Sequence, residues 1–134
     1  MFVGENDKLN GKLGGKIMRS GYDYGKINEG IKSLVWQSIV NPSIGEAKEP
    51  VPVQIGSMNR HGLKRGITSN EAQGFIDNAV VMFDQGDRFL YVSHDGNVVL
   101  LDKERRVVSA YRKEHFDNSV IAILEVVENG RKNN

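Results

Sequence analysis

Two short segments of the sequence carry the side chains best suited to chemistry. Residues 60–68 combine an imidazole with three cations, namely His61 with Arg60, Lys64 and Arg65. Residues 107–113 combine a hydroxyl, an aromatic ring and two further cations, namely Ser109, Tyr111, Arg112 and Lys113. An imidazole gains or loses a proton near neutral pH, and cations and hydroxyls can hold a phosphate. Together these groups could cleave RNA by attack of a ribose 2′-hydroxyl on the adjacent phosphate, without a metal ion.

His61 is the candidate base in that reaction. It would take the proton from the 2′-hydroxyl, while Lys64 and Arg65 hold the phosphate oxygens on which negative charge develops. Ser57 is expected to cap a short helical turn, which places His61 and Lys64 on one side, three residues apart. A lone histidine on a short helix is more often an ordinary surface residue, and the sequence leaves that alternative open.

Ser109 and Tyr111 are the candidate partners on a strand. Side chains alternate along a strand, so these two share a face and Arg112 points to the other. Ser109 could donate to a phosphate oxygen, and Tyr111 could stack on a base or donate a proton. A serine and a tyrosine two residues apart also suit any half-exposed strand. Further contacts to RNA are predicted for four cations, Arg60, Arg106, Arg112 and Lys113.

Charge is divided unevenly along the chain. Residues 1–66 hold 10 Lys and Arg against 6 Asp and Glu, whereas residues 67–134 hold 8 against 11, and the whole chain has a formal charge of +1. A uniformly basic coat for nucleic acid is therefore excluded, although a local patch suffices for a catalyst that contacts a few phosphates. The cations of residues 103–113 are interleaved with carboxylates, so an ordinary solvated surface is the alternative there.

Composition limits the classes of function. A length of 134 residues suits one domain. No apolar run approaches the roughly 20 residues of a membrane-spanning helix, and the start of the sequence does not read as a secretory signal. Cysteine is absent, which excludes disulfides, thiolate catalysis and cysteine-based zinc sites. No histidine spacing typical of a metal site and no Walker-type loop is present, so no metal or other cofactor is expected.

Hydrophobic spacing predicts the elements that must position these residues. Six glycines among polar residues indicate that residues 1–25 are a flexible linker or the remnant of a cell-uptake region, and residues 26–130 are the folded domain. Apolar residues at helical intervals predict a helix over residues 26–40, with Trp36 beside the apolar stripe and assigned to the core. A short extended piece is expected at residues 51–53.

The second half of the chain predicts one helix, a run of strands and a final element. Thr68 and Glu71 form a capping-box pattern that opens a helix expected to continue to Phe83, and Gly86 would close it. Three antiparallel strands are expected at residues 88–93, 97–101 and 106–113. A helix is favoured over a fourth strand for residues 119–128. The expected fold is α+β, with N-terminal helices packed on one face of a small twisted antiparallel sheet and a C-terminal helix or strand.

The order of these elements resembles a superfamily of ribonucleases, that of barnase, EndoU, colicin and RelE. The likeness spans about residues 26–128. It rests on a helix, a basic segment leading into a second helix, and a sheet with a Ser-x-aromatic strand, and the matching residues are His61, Lys64, Arg65, Ser109 and Tyr111. The chain looks most like the carboxy-terminal toxin domains of contact-dependent growth inhibition systems and of colicin D.

This resemblance implies a function and partners. Such toxin domains cut transfer RNA with a histidine and basic residues from the helical part, against a Ser or Thr and an aromatic residue on the sheet. A cognate immunity protein covers their site. The resemblance further implies delivery as the carboxy-terminal part of a larger secreted protein, action in the cytoplasm of a target bacterium, and a cytoplasmic factor of that cell as a further partner. The alternative is a noncatalytic module that binds nucleic acid or protein through its basic residues.

Overall fold

A computed structural model describes residues 21–40 and 44–132 of the chain. The elements in chain order are α1 (Tyr24–Trp36), β1 (Glu46–Lys48), α2 (Arg60–Lys64), α3 (Ser69–Asp77), β2 (Ala79–Asp84), β3 (Arg88–Ser93), β4 (Val98–Asp102), β5 (Val107–Tyr111), a 3-10 turn (Lys113–His115) and α4 (Asn118–Asn129). The α+β class is confirmed, and the C-terminal element is a helix. No helix within the described ranges is long and apolar enough to cross a membrane.

The linker predicted for residues 1–25 falls mainly on residues 1–20, which lie outside the described residues. Its last part belongs to the fold. Tyr22 is buried, with 4% of its surface exposed, and forms an antiparallel bridge with Arg131 after α4. The folded domain therefore includes residues just before position 26, where the sequence pattern had placed its start.

Within the described ranges the strands form one sheet in the order β1 to β5, and every neighbouring pair is antiparallel. Each face buries its own apolar cluster. The α1/α4 face is covered by α1 and α4 and carries the register row Val81, Val92, Val98 and Tyr111. The α3 face is covered by α3 and carries the row Met82, Tyr91, Val99 and Ala110.

Helices thus cover both faces, whereas the sequence pattern had placed the N-terminal helices on one. The reason lies in the central strands, whose apolar residues follow one another instead of alternating with polar ones. Val98 and Val99 are adjacent in β4, and each is buried in a different cluster. A strand that is apolar on both sides needs cover on both sides.

The helix predicted to run from Thr68 to Phe83 is wrong in its second half. Thr68 caps α3 as expected, because its Oγ1 accepts from the backbone N–H of Glu71 at 3.1 Å. The helix ends at Asp77, and residues 79–84 are β2. The β-branched residues in that segment suit a strand buried on both faces, and pairing with β3 outweighs the helical spacing.

Two further details of the first half differ from the expectation. Trp36 was assigned to the core but is 89% exposed. At 100° per residue, position 36 lies on the side of α1 opposite Ile27, which is fully buried, so the stripe cannot bury both. The extended piece expected at residues 51–53 is irregular, and the strand lies earlier, at β1.

Asn28 on α1 closes the outer edge of β1. Its Oδ1 accepts from the backbone N–H of Ala47 at 2.6 Å, and its Nδ2 donates to the carbonyl of the same residue at 3.2 Å. An edge strand otherwise presents unpaired backbone groups to a second sheet. One side chain therefore replaces the missing neighbouring strand and joins α1 to the sheet.

Replacing Asn28 with alanine should lower the free energy of unfolding by about 2 kcal/mol, because two partly buried hydrogen bonds are lost at about 1 kcal/mol each. Urea unfolding followed by circular dichroism measures the change. The matched control is Glu29→Ala on the same helix, which removes only an exposed ion pair with Lys32 and should cost less than about 0.5 kcal/mol. Equal losses in the two variants would contradict this role for Asn28.

Candidate functional site

Asn59 attaches the start of the short helix α2 to the open edge of β5. Its Oδ1 caps the helix by accepting from the backbone N–H groups of His61, at 3.0 Å, and Gly62, at 3.4 Å. Its Nδ2 donates to the carbonyl of Val108, and its backbone N–H donates to the carbonyl of Val107 at 3.0 Å. The residue that starts α2 therefore also sets its position on the sheet.

The cap predicted at Ser57 is wrong. Ser57 lies two residues before the true cap, and its backbone carbonyl accepts from the N–H of Val107 at 2.7 Å. This segment runs parallel to β5 through a bridge between Met58 and Val107. Asparagine caps helices as well as serine does, and the sheet edge decides between the two.

Gly62 lies where α2 comes close to β5. The residue is buried, and a Cβ atom there would overlap the terminal methyl group of Met58 and lie 4.0 Å from the methyl group of Ala110. A side chain at this position would therefore have to displace the end of Met58. The glycine inside the basic segment thus leaves room for Met58 beside the strand.

Arg65 and Tyr111 are in direct contact. The guanidinium carbon of Arg65 lies 4.0 Å from the centroid of the Tyr111 ring, a cation–π arrangement. Nη1 of Arg65 also donates to the carbonyls of His61, at 3.0 Å, and Ala110, at 3.4 Å. The guanidinium is therefore held in one orientation over the ring, and two of the five predicted catalytic residues share one place.

The other three predicted catalytic residues lie around this contact. His61 is exposed and four residues before Arg65, so both lie on one side of α2. Lys64 is exposed at the end of the same helix. Ser109 is half-buried opposite Leu100, on the α1/α4 face that also carries Tyr111. No contact that the structure describes joins Ser109 or Lys64 to the Arg65–Tyr111 pair.

Arg112 fastens the end of α2 to β5. Its Nε and Nη2 donate to the two carboxylate oxygens of Glu71, each at 2.7 Å. The same guanidinium donates to the backbone carbonyls of Arg65, at 3.3 Å, and Gly66, at 3.2 Å. The hydrogen bonds from Arg112 lower the pKa of Glu71, and those to Glu71 raise the pKa of Arg112. The charge of this cation is thus compensated, and its contact with RNA stays a prediction.

The remaining predicted substrate cations are spread over the surface. Arg106 lies in the turn before β5 and pairs with Asp102 at 2.8 Å and Glu104 at 3.0 Å. Arg60 is exposed at the start of α2. The Lys113 side chain lies beside Gly96, where a Cβ atom would meet it at 3.6 Å. The cationic surface next to Tyr111 therefore comes from α2 and not from the turns of the sheet.

A cavity of about 650 Å³ lies between the β3–β4 turn and α4. His94 and Lys113 are on its wall, and the hydroxyl of Tyr22 lies 3.1 Å from Nδ1 of His94. Neither Arg65 nor Tyr111 lines this cavity. We place the candidate site at Arg65 and Tyr111 because the basic segment and the Ser-x-Tyr strand meet in that contact, whereas the cavity wall mixes both signs of charge. In the described part of the chain, no three His, Asp or Glu side chains are arranged to hold a metal ion.

No protein-family model matches the sequence, and no curated protein or solved structure matches it. The likeness to the barnase, EndoU, colicin and RelE superfamily thus stays a prediction from the residues. The residues that sequence reasoning missed are Asn59 as the cap, Glu71 as the partner of Arg112, and His115, whose Nδ1 accepts from the backbone N–H of Arg112 at 3.1 Å. Only Asn59 carried a local signal, because it directly precedes the basic segment.

Replacing Asn59 with alanine should lower the free energy of unfolding by about 2 to 3 kcal/mol, because a helix cap and a bond to the sheet are lost together. Ser57→Ala is the matched control. This variant retains the backbone carbonyl that accepts from the N–H of Val107, so its free energy of unfolding should change by no more than about 0.5 kcal/mol. Chemical unfolding of both variants gives the comparison, and a larger effect at Ser57 would show that the cap is assigned to the wrong residue.

The Glu71–Arg112 pair should make the free energy of unfolding depend on pH in the acidic range. A carboxyl group whose pKa is lowered by folding contributes stability above its unfolded pKa, and this contribution is lost as the pH falls. The stability difference between wild type and Glu71→Gln should therefore be largest near neutral pH and shrink below about pH 4.3. Unfolding curves across that range measure it. In an Arg112→Gln background the same substitution should have much less pH dependence, and equal dependence in both backgrounds would refute the assignment.

Proposed function

We propose that this protein is a metal-independent endoribonuclease of the barnase, EndoU, colicin and RelE superfamily that cuts transfer RNA. The observation that carries the proposal is the contact of the Arg65 guanidinium with the Tyr111 ring at 4.0 Å. It joins the basic helix α2 to the Ser-x-Tyr strand, the two segments that the chemistry requires in one place. An ordinary surface would not require the two segments to meet.

The oriented guanidinium suits a phosphate. Two carbonyl oxygens hold Nη1 of Arg65, so its plane is fixed before any ligand binds. An arginine fork matches the geometry of phosphate oxygens, and donors that are already in place stabilise developing charge without further reorganisation. The Tyr111 ring, which carries Arg65 on one face, and the guanidinium plane are both groups on which nucleotide bases can stack. Lys64, at the end of α2, adds a second cation.

The reaction follows from these groups. His61 takes the proton of the 2′-hydroxyl, and the 2′-oxygen forms a bond to phosphorus. Arg65, Lys64 and Ser109 hold the phosphate oxygens as their charge increases. The bond between phosphorus and the 5′-oxygen then breaks, that oxygen takes a proton from water, and His61 returns to water the proton it accepted. The products are a 2′,3′-cyclic phosphate end and a 5′-hydroxyl end.

The biological setting belongs to the same proposal. The protein would act in the cytoplasm of a target bacterium, as the delivered carboxy-terminal part of a larger secreted protein. A cognate immunity protein would cover the exposed cations of α2, and a cytoplasmic factor of the target cell would be a further partner. Arg60 and Lys64 are both exposed, which suits an acidic inhibitor as well as RNA.

Incubation of the purified protein with total transfer RNA in EDTA tests this function. We expect cleavage with cyclic phosphate ends, identified by sequencing the RNA ends. His61→Ala should slow cleavage by about 100-fold or more, because a general base contributes that much. His94→Ala is the matched control. His94 lies on the cavity wall beside Tyr22, so this variant should cleave RNA as the wild type does.

Three outcomes would count against the proposal. Intact RNA at high protein concentration, abolition of cleavage by EDTA, or products with 3′-hydroxyl ends would each exclude the mechanism. RNA that binds but is not cut would favour the noncatalytic module. Expression in bacteria gives a second readout, because a ribonuclease should stop growth and His61→Ala should relieve this toxicity.

A further inference from the structure

The open edge of β5 has two neighbouring positions beyond the Asn59 anchor, and each binds one side chain. The carbonyl of Ala110 points outward and accepts from Arg65 at 3.4 Å. Along an extended strand, the next outward-pointing group is the N–H two residues further on. That group belongs to Arg112, and it donates to Nδ1 of His115 at 3.1 Å. The two backbone groups that hold Arg65 and His115 are therefore neighbours on one edge, within a strand repeat of about 7 Å.

The bond at Nδ1 determines which nitrogen of the neutral imidazole carries the proton. A ring nitrogen that accepts from a backbone N–H carries no proton, so the neutral ring has its proton on Nε2. His115 is half-buried in the 3-10 turn that follows β5, and the backbone N–H holds its ring in place. Such a histidine offers one N–H donor in a fixed position.

We infer that His115 is a further member of the Arg65–Tyr111 site and donates its Nε2–H to an oxygen of the RNA phosphate held by Arg65. The inference rests on the proposed function and adds a fourth phosphate donor to Arg65, Lys64 and Ser109. His115 acts as a neutral donor to developing charge, in a role distinct from that of His61, which exchanges a proton.

Two substitutions separate the two nitrogens of the ring. His115→Asn places an oxygen near the Nδ1 position, so it keeps the bond from Arg112 and loses the Nε2 donor. His115→Gln places an amide near the Nε2 position, so it keeps the donor and loses the backbone bond. We expect the asparagine variant to fold with unchanged stability and to cut RNA about 100-fold more slowly. The glutamine variant should be less stable and retain most of the activity.

The pH dependence of cleavage adds a readout that a merely structural role would not change. Loss of a neutral donor lowers the rate equally across the pH range, whereas loss of a titrating acid or base removes one limb of the profile. A missing limb in His115→Asn would overturn the inference. So would full activity in the asparagine variant combined with loss of activity in the glutamine variant.

A binding measurement keeps this inference separate from the proposed function. In nitrogen-15 spectra of the wild-type protein, the His115 ring should show a proton on Nε2 and none on Nδ1. Titration with uridine 3′-monophosphate should shift its Nε2–H signal and leave the His94 ring unchanged. An unshifted His115 signal would overturn the inference whether or not the protein cuts RNA. A shifted signal without cleavage would refute the proposed reaction and retain the phosphate contact.

Discussion

The arrangement of the candidate site depends on the hydrogen bonds of one side chain, Asn59. The amide caps α2 with its oxygen and contacts β5 with its nitrogen, so it joins the beginning of the helix to the edge of the sheet. Everything beyond it on that edge follows from this placement. Gly62 lies against the strand, Arg65 crosses it to reach Tyr111, and Arg112 holds the far end of the helix. A five-residue helix is too short to form on its own, and these contacts supply its stability.

The predicted RNA-binding cations fall into two groups with different partners. Arg106 and Arg112 are both paired with carboxylates. The Arg106–Asp102 pair lies within the turn between β4 and β5, and the Arg112–Glu71 pair joins the end of β5 to α3. For these two cations the ordinary structural interpretation is the better supported one. Arg60 and Lys64 lie on α2 and Arg65 is its C-cap. Arg65 is placed by carbonyl oxygens and an aromatic ring. A positive patch that is held by neutral partners keeps its charge for a ligand.

The sequence predicted those elements whose signals are local. The sequence analysis correctly predicted the hairpin of the strands expected at residues 88–93 and 97–101, the Thr68 cap and the final helix. Turn residues, caps and hydrophobic spacing act within a few residues. Residues 79–84 were wrongly predicted to be helical. The spacing of their apolar side chains fits a helix, and the sequence alone does not show that this segment pairs with β3. The candidate site was likewise only partly predictable from the sequence. Its residue types were visible in the sequence, but the contact of Arg65 with Tyr111 joins two residues that are far apart in the chain. His115 is placed by a local bond to Arg112, three residues earlier, which the hydrophobic spacing did not indicate.

A double-mutant cycle between Arg65 and Tyr111 tests the central claim, that these two residues act on RNA as one unit. It compares kcat/KM for cleavage in Arg65→Ala, Tyr111→Ala and the double variant. If the contact organises the site, either single change disables most of what the pair contributes, and the double variant is little worse than the single variants. The coupling free energy should then be about 1 to 3 kcal/mol. Effects that multiply, with no coupling between the two positions, would show that the residues act independently and would contradict this account.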